Sequence, residues 1–428
     1  MKFIADFHIH SKYSRATSKD MILENIDSFA DDKGILVMGT GDFTHPQWFN
    51  EIKTKLEPAE PGLFKLKKEY KRETLKGTLA ETRFILTVEI SSIYSRGGPP
   101  KIGEARKTRR VHNLIFSPDI ATAENINGQL GLIGNLKSDG RPILGLDSEK
   151  LAEIIFNINT EAAIIPAHAW TPWFSIFGSM SGFDSIEECF GKYAKNIFAI
   201  ETGLSSDPAM NRRLSKLDNV TLISNSDSHS LRKIGREANI FDTELSYKGI
   251  MEAIKNGAPK FLSTIEFFPE EGKYHFDGHL DCKIYLSPKE TKKHDGICPK
   301  CGKKLTIGVM NRVDELADRE IGKDLIPYRN LIPLGEIIAE AFGVGENTKQ
   351  VKKEYDNLIK TFGNELKILT DISENELKSV ADPRVAEGIK RVREGKVKIR
   401  PGYDGEYGEI KIFNDNEREE LKTQKSLF

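Results

Sequence analysis

Seven short apolar runs lie between residues 2 and 227, and polar or ionisable residues stand at the end of each run. The runs are rich in Ile, Val and Phe and are bounded by Gly, Pro, Ser or Asp, which is typical of short buried strands. They cover residues 2–8, 35–43, 83–90, 111–116, 162–169, 197–203 and 220–227. The pattern therefore predicts seven strands in the first half of the chain.

Segments with helical spacing of apolar residues separate several of these runs. Ser18 is a candidate N-cap for a helix that runs to Gly34, and a second helical segment covers 148–159. Strands that alternate with helices predict a parallel sheet. Seven such strands predict an irregular (β/α) barrel of the α/β class, with functional residues at the C-terminal ends of its strands.

Six of the nine histidines stand with acidic residues near the ends of the runs. In an extended strand, residues i and i+2 share a face, so His8 and His10 should project together, as should Asp227 and His229. Imidazole and carboxylate ligands together suit zinc, manganese or iron. The expected cofactors of the barrel are two or three divalent cations, which could be zinc, manganese, magnesium or iron. Any one of these histidines alone fits a core or surface position equally well, but the whole set predicts a multinuclear metal centre. The candidate positions are Asp6, His8, His10, Asp42, His45, Glu89, His112, His168, Glu201, Asp227 and His229.

Two acids have less certain roles in this prediction. Asp6 could orient a ligating histidine through its second ring nitrogen, or it could make a purely structural hydrogen bond. Glu201 could support the ligands or belong to the barrel core.

The order of these motifs resembles the PHP (polymerase and histidinol phosphatase) superfamily over about 260 residues. The resemblance rests on residues 6–11, Gly41-Asp42 with His45 nearby, Glu89, His112, His168 and Ser226-Asp227-Ser228-His229. The chain has Asp42-Phe43 where that superfamily commonly has Asp-His, and the histidine is displaced to His45.

The resemblance implies a ligand set and a reaction. One metal would be held by His8, His10, Glu89 and Asp227, and Glu89 would bridge to a second metal held by His112 and His168. His229, with Asp42 or His45, would hold a third. Metals that share a carboxylate lie about 3.5–4 Å apart and clamp the oxygens of a phosphate ester, so phosphoester hydrolysis is the implied reaction. Glu89 and Asp227 are then catalytic, and His229 is a candidate proton donor if it is not a ligand.

The cysteines predict a second, structural metal site. Cys298-Pro299-Lys300-Cys301-Gly302 is a knuckle, and Cys282 lies upstream in a His-x-x-Cys pair. Four such ligands suit tetrahedral zinc. The predicted ligands are His279, Cys282, Cys298 and Cys301, and spacing alone leaves His294 or His275 as alternatives to His279.

The charge distribution is uneven although the net charge is −1. Residues 61–110 carry thirteen Lys or Arg against five Asp or Glu. Within them, a basic loop over 95–110 should lie at the mouth of the barrel, where it could pair with phosphates. A solvated run of charges is the alternative. The candidate DNA-binding residues are Arg96, Lys101, Arg106, Lys107, Arg109 and Arg110.

Aromatic residues follow His168 directly. Trp170 and Trp173 could stack on an extruded base or wedge into a duplex. Packing of these rings on the barrel rim is the alternative.

Nearly the whole chain resembles the endonuclease Q family of DNA repair enzymes, through residues 273–279, the Cys298 knuckle and residues 400–408. The resemblance implies a nuclease that cuts the phosphodiester 5′ to deaminated bases (hypoxanthine, uracil and xanthine) and abasic sites. Two alternatives are a phosphomonoesterase resembling histidinol phosphatase and a non-catalytic protein that binds damaged DNA.

Three parts are expected: a catalytic barrel (1–265), a zinc-binding domain (266–312) and a mainly helical C-terminal region (313–428), with helices over 335–342 and 347–362. The last residues, Gln424 to Phe428, resemble the beginning of a sliding-clamp-binding box, and a frayed polar tail is the alternative. With no signal peptide and no membrane span, a cytoplasmic location is expected.

Overall fold

The structure is a computed structural model that describes residues 1–96, 107–322, 326–414 and 417–418, with the side chain of Arg96 excepted. Each of the seven apolar runs overlaps a strand, and the structure has further strands beside these seven. The strands are β1 (Lys2–Asp6), β2 (Val37–Gly39), β3 (Leu56–Pro58), β4 (Phe64–Leu66), β5 (Arg83–Arg96), β6 (Lys107–Ser117), β7 (Ile143–Leu144), β8 (Ala163–Pro166), β9 (Ala199–Glu201), β10 (Thr221–Ile223), β11 (Ala238–Asp242), β12 (Phe261–Glu266), β13 (Asp277–His279), β14 (Ile284–Leu286), β15 (Tyr328–Asn330), β16 (Lys398–Arg400) and β17 (Glu409–Lys411).

Helices lie between many of these strands and dominate the C-terminal third. They are α1 (Leu23–Lys33), α2 (Pro46–Lys55), α3 (Ile120–Gly131), α4 (Ser148–Ile158), α5 (Ile186–Phe190), α6 (Pro208–Asn211), α7 (Tyr247–Asn256), α8 (Pro288–Lys293), α9 (Val309–Leu316), α10 (Leu334–Phe342), α11 (Lys349–Phe362), α12 (Glu365–Thr370), α13 (Glu374–Val380) and α14 (Pro383–Arg393). Short 3-10 turns cover Lys68–Tyr70, Gly191–Asn196, Ser215–Leu217, Leu231–Lys233, Pro269–Glu271 and Leu280–Cys282. The fold is therefore mixed α/β with a helical C-terminal region.

The main sheet is only partly parallel, which corrects the prediction. β1, β2 and β5 run parallel, but β5 pairs antiparallel with β6, and β6 pairs antiparallel with β8. The reason is that β5 and β6 form one long hairpin, from the Leu86–Ser117 pair to the Arg96–Lys107 pair. Two strands joined by a loop without a helix pair antiparallel, so the predicted basic loop between them is incompatible with the predicted parallel order.

A closed seven-stranded barrel is not confirmed, because β9 and β10 form a separate two-stranded sheet. The seven strands nevertheless share one core. A single cluster of buried apolar side chains takes members from all of them: Ala5, Val37, Ile85, Leu114, Ile165, Ala199 and Ile223. The segments that follow β1 and β10 also meet, since Ile9 and Ser228 form a parallel bridge.

All four predicted helices are present, and one of them begins later than predicted. α4, α10 and α11 lie where the sequence predicts them, and Gly343 and Gly363 follow α10 and α11. α1 begins at Leu23, without a side-chain cap, and not at Ser18. Ser18 instead accepts a hydrogen bond from Asp20 N–H in the preceding turn.

Strand pairing and backbone hydrogen bonds are among the contacts that tie the C-terminal third to the rest of the chain. β15 pairs parallel with β12 of the main sheet. The segment between β16 and β17 packs against residues 270–280, where Phe276 N–H donates to Gly402 O and Leu280 N–H donates to Asp404 Oδ2. Across the described residues, no helix is both long and apolar enough to cross a membrane.

Candidate metal centre

Six of the candidate ligands meet in two adjacent groups of three. The first group is His8, His10 and Asp227, and the second is Glu89, His112 and His168. Within each group the candidate ligand atoms all lie within 4.8 Å of one another. Four of the six follow the ends of β1, β8 and β10, while Glu89 and His112 lie within β5 and β6.

The backbone positions these side chains in two ways. The chain stays extended after β1, so His8 and His10 point to the same side, as their spacing predicts. His168 and Asp227 instead have positive φ angles of 31° and 45°. Non-glycine residues rarely adopt this conformation, and it is concentrated at functional sites. Gly203 makes room for this geometry, since a Cβ there would lie 2.5 Å from His168 Cβ.

Glu89 lies at the centre of both groups and is fully buried. Its Oε1 is 2.6 Å from His112 Nδ1 and 2.9 Å from His168 Nε2. Its Oε2 is 3.3 Å from His10 Nε2 and 3.6 Å from His8 Nε2. One carboxylate thus faces ring nitrogens from both groups, which is the geometry that a shared ligand requires.

The acids of the centre are held ionised. Burial alone would raise the pKa of Glu89, but His112, Arg141 and His8 outweigh it, so the pKa lies well below its usual range. Burial likewise opposes ionisation of Asp227, yet His8 and His10 lower its pKa. Negative carboxylates in a water-poor site attract cations strongly.

Each histidine has its outward nitrogen occupied. His8 Nδ1 lies 3.0 Å from both oxygens of Glu201, and His10 Nδ1 lies 3.2 Å from Asp42 Oδ1. Ser91 Oγ lies 3.0 Å from His112 Nε2, and Thr171 Oγ1 lies 3.3 Å from His168 Nδ1. Such partners fix the tautomer that leaves the inward nitrogen lone pair available, as is common for metal-ligating histidines. Nothing in the sequence pattern singled out Ser91 or Thr171.

One orphaned atom tests the fit for a metal. His8 Nε2 is buried and has no hydrogen-bond partner among the described residues, and it faces Glu89 and Asp227 at 3.6 Å each. An unpaired buried nitrogen is costly unless something occupies the space in front of it. The donor set and this gap both fit a divalent cation.

The residues predicted as ligands of a third metal do not form a comparable three-residue group. Asp42, His45 and His229 belong to neither three-residue group of the described chain. Both oxygens of Asp42 are already engaged, one with His10 and the other with Ser11 and Ser14. Asp42 therefore positions His10, where the resemblance implied that Asp42 or His45 is a direct ligand of a third metal.

The two histidines lie nearby without converging. His45 precedes α2 and stacks on Tyr13 at a ring distance of 4.3 Å. His229 is partly exposed, its ring is 4.4 Å from that of His10, and its Nδ1 lies 2.9 Å from Asp227 O. That position leaves open its predicted role as a proton donor.

The two acids with uncertain roles are now distinguished. Asp6 accepts hydrogen bonds from the backbone N–H groups of Ser226 and Gly235, which is the structural alternative. Glu201 contacts the ring of His8 and also accepts from His168 N–H, so it orients ligands of both groups.

Arg141 is a residue of this site that the sequence reading missed. Its Nη1 lies 3.0 Å from Glu89 Oε2, although Arg141 is far from the histidine motifs in sequence. Glu89 raises the pKa of this guanidinium, so Arg141 is a permanent cation beside the centre. No motif or apolar run points to it, because only the folded loop brings it to Glu89.

A cleft of about 550 Å³ opens beside the second group. Thr171 and Phe174 line it, and these residues touch His168 and His112 respectively. Trp173, 39 % exposed, meets Tyr274 edge to face at 5.9 Å, and both rings line the cleft. The cleft therefore lies between residues that contact His168 and His112 and the segment before the cysteine cluster, and none of the six candidate ligands lines it.

Trp170 does not meet its predicted role in this structure. It is 1 % exposed, and its indole N–H donates to Asn211 Oδ1 at 2.7 Å. A ring in that position packs in the core and cannot stack on a base, so the rim-packing alternative describes it better.

The predicted basic loop over 95–110 is shorter than expected, because β5 reaches Arg96 and β6 begins at Lys107. Arg110 lines the cleft, 5.6 Å from the Phe174 ring centre, and Arg109 lies 4.1 Å over Phe183. Lys107 is exposed. Lys101, Arg106, the side chain of Arg96 and the C-terminal residues 424–428 lie outside the described part of the chain.

The four predicted zinc ligands come together as a separate group. Candidate ligand atoms of His279, Cys282, Cys298 and Cys301 all lie within 4.8 Å of one another, and His279 Nδ1 is 3.7 Å from Cys301 Sγ. The alternatives lie elsewhere: His294 follows α8, and His275 lines the cleft. Of the three histidines, the structure thus places His279 with the cysteines.

The fold, the buried His/Asp/Glu centre and the separate His-Cys cluster together define a class of protein: mixed α/β, with ligand-type residues for metals at two separate places. A family model described as the MJ0043 C-terminal domain matches residues 333–396. The chain is 35% identical over 286 residues to the uncharacterized protein MJ0043 of Methanocaldococcus jannaschii, covering 63% of this chain and 35% of that protein. It is 31% identical over 310 residues to the uncharacterized protein YqxK of Bacillus subtilis, covering 70% of this chain and 74% of that protein.

Two solved structures match almost the whole chain. The lesion-specific endonuclease PfuEndoQ from Pyrococcus furiosus is 33% identical with a TM-score of 0.82, over 96% of this chain and 95% of that one. Endonuclease Q in complex with a 27-mer duplex carrying an abasic lesion is 32% identical with a TM-score of 0.81, over 97% and 98% of the two chains. The chain belongs to the endonuclease Q family.

Proposed function

We propose that this protein is a DNA repair endonuclease that hydrolyses the phosphodiester 5′ to deaminated bases and abasic sites. The observation that carries the proposal is the pair of adjacent ligand groups, with the carboxylate of Glu89 facing histidines of both. A multinuclear centre with a shared carboxylate is suited to phosphodiester hydrolysis. Similarity to lesion-specific endonucleases over nearly the full length supports DNA as the substrate.

We propose the two groups as the metal ligands. His8, His10 and Asp227 would hold one divalent cation, His112 and His168 a second, and Glu89 would be shared. When bound, such cations lower the pKa of a water molecule and offset negative charge on the phosphate oxygens. The protein's own residues orient the ligands: Glu201 and Asp42 hold His8 and His10, while Ser91 and Thr171 hold His112 and His168.

The cleft beside the second group would receive the damaged nucleotide. Extrusion of a nucleotide costs less where pairing is already weakened, as at a deaminated or missing base. Trp173 and Tyr274 offer aromatic surface there, and Arg110 supplies positive charge. Exposed Lys107 and partly exposed Arg109 would pair with phosphates further along the β5–β6 hairpin.

Three further expectations are kept as proposals. The group around Cys298 would hold a structural zinc ion. The chain would divide into a catalytic part (1–265), a zinc-binding part (266–312) and a helical part (313–428), with β15 returning to the main sheet. The C-terminal tail would offer a sliding clamp its Gln424 to Leu427 segment.

A labelled duplex with a single lesion tests the proposed activity. We expect one nick 5′ to deoxyinosine, deoxyuridine or an abasic site, and none in the undamaged duplex. Chelation of divalent metals should abolish it, and Asp227→Ala should slow it by about 100-fold or more, because a ligand with charge is removed.

The matched control is Asp371→Ala, which removes an exposed acid after α12 and should nick normally. An intact lesion duplex with every divalent metal tried would refute the nuclease assignment. Hydrolysis of simple phosphate monoesters without nicking would favour a small-molecule phosphatase, and lesion binding without nicking would favour a binding protein.

Trp173→Ala should weaken binding to lesion DNA by about tenfold, since stacking of an aromatic ring on a base contributes about 1–3 kcal/mol. Fluorescence anisotropy with a lesion duplex in the presence of calcium or another non-supporting metal measures this change. Leu132→Ala, which removes an 83 % exposed apolar side chain from the end of α3, is the control. Equal affinities of wild type and Trp173→Ala would remove Trp173 from the DNA interface.

A further inference from the structure

Arg141 holds a position between the buried acids and the solvent. Among the described residues, it is the only Lys or Arg that forms an ion pair with Glu89 or Asp227. Its side chain is 27 % exposed, while that of Glu89 is fully buried. One side of the guanidinium therefore faces the metal-binding carboxylate, and the remainder is accessible to a molecule that approaches from outside.

The turn that carries Arg141 is built against the ligand-positioning residues. Gly140 N–H donates to Tyr13 O, and Asp139 Oδ1 accepts from Arg141 N–H. A Cβ on Gly140 would lie 2.2 Å from Asp42 Oδ2 and 2.3 Å from Ser14 Oγ, so only glycine fits without displacement. The same Asp42 orients His10.

The chain is fixed again directly after Arg141. Ser91 N–H donates to Pro142 O, and β7 pairs with Ser91 and Ser92 of β5. Since Ser91 is two residues beyond Glu89, both flanks of Arg141 are fastened to elements that carry or orient ligands. Its location at the centre is thus a fixed feature of the fold and does not depend on the single ion pair.

Cations at the centre would change the partner that Arg141 prefers. In their absence, the guanidinium neutralises Glu89. With cations on Glu89, that carboxylate is already neutralised, and like charges repel the guanidinium from it. The anion that enters the site is the phosphodiester, and the planar guanidinium matches two phosphate oxygens in a bidentate fashion.

We propose that Arg141 binds the non-bridging oxygens of the scissile phosphate and acts as a catalytic residue of the nuclease. This inference rests on the proposed function. A water molecule loses a proton and its oxygen forms a new bond to phosphorus, while the P–O3′ bond breaks and the released 3′ oxygen takes up a proton. Arg141 forms no covalent bond, and it stabilises the negative charge that gathers on the phosphate oxygens.

The test compares Arg141→Gln and Arg141→Lys with the wild type. The single-turnover nicking rate should fall by about 100-fold in Arg141→Gln, the order of effect of one charge-stabilising donor. Arg141→Lys should recover only part of the rate, because lysine keeps the charge but loses the bidentate geometry. Lys255→Gln removes one positive charge from the exposed face of α7 and should leave the rate unchanged.

Two readouts do not depend on catalysis. Metal content by atomic emission should be unchanged in Arg141→Gln, because Arg141 is not a ligand. The affinity of the metal-loaded protein for inorganic phosphate, measured by calorimetry, should fall by at least tenfold. Unfolding midpoints confirm that both variants are folded.

The outcomes separate this inference from the proposed function. If Arg141 only balances the charge of Glu89, Arg141→Gln will nick and bind phosphate like the wild type and will bind metal more tightly, which overturns the inference. If the wild type does not cut lesion DNA, the nuclease assignment fails. The phosphate affinities of wild type and Arg141→Gln then still decide whether Arg141 forms an anion site.

Discussion

Replacing Glu89 with glutamine is expected to abolish nicking and to reduce the metal content of the protein. Glutamine has the same shape but no charge, and among the described acids only Glu89 forms close contacts with all four of His8, His10, His112 and His168. Losing several kcal/mol of metal-assisted stabilisation of the transition state should lower the nicking rate by about 10³-fold or more. Single-turnover nicking of a deoxyinosine duplex and atomic emission measure the two effects.

The control for this variant is Glu187→Gln, which makes the same change at an exposed position in the first turn of α5. It should retain both activity and metal. A Glu89→Gln protein that keeps its metals and cuts at the wild-type rate would show that Glu89 is not the shared ligand.

Cys298→Ser is expected to remove one zinc ion per chain and to unfold the surrounding segment. Between residues 279 and 307, the buried apolar side chains of the described structure are only Pro288, Cys298 and Leu305, while Leu280, Tyr285 and Ile307 are each more than 40 % exposed. A segment with so small a core depends on its metal, and structural zinc contributes about 10–16 kcal/mol in small zinc-finger peptides.

The loss should be visible as zinc released on dialysis and as rapid proteolysis between residues 279 and 307. Cys189→Ser is the control, since Cys189 is buried in the core away from the cluster. Normal zinc content or normal protease resistance of Cys298→Ser would contradict a structural zinc site.

The candidate site is predictable from sequence where the backbone stays regular. His8 and His10 follow a strand, so their two-residue spacing places both on one side. The same spacing argument does not hold for Asp227 and His229, because Asp227 has a left-handed backbone conformation and the segment is not extended. Asp227 still reaches the centre, while His229 stays at its edge.

Contacts between distant loops are outside the reach of such patterns. Asp42 has the residue type of a ligand, yet the folded chain surrounds it with the hydrogen-bond donors of Ser11 and Ser14. Trp170 and Trp173 stand three residues apart, and one is buried while the other lines the cleft. Whether such a side chain is buried depends on which loops pack over it in the folded chain, and the local periodicity of the sequence does not contain that information.

The sequence by itself determined the seven strands, four of the helices and the residues that could bind metal, because period and residue type act over a few neighbouring positions. Only the tertiary structure decided that β5 and β6 form a hairpin, that Glu89 faces both groups and that Arg141 enters the site. These features join residues that are tens to hundreds of positions apart, and the packing of the whole chain brings them together.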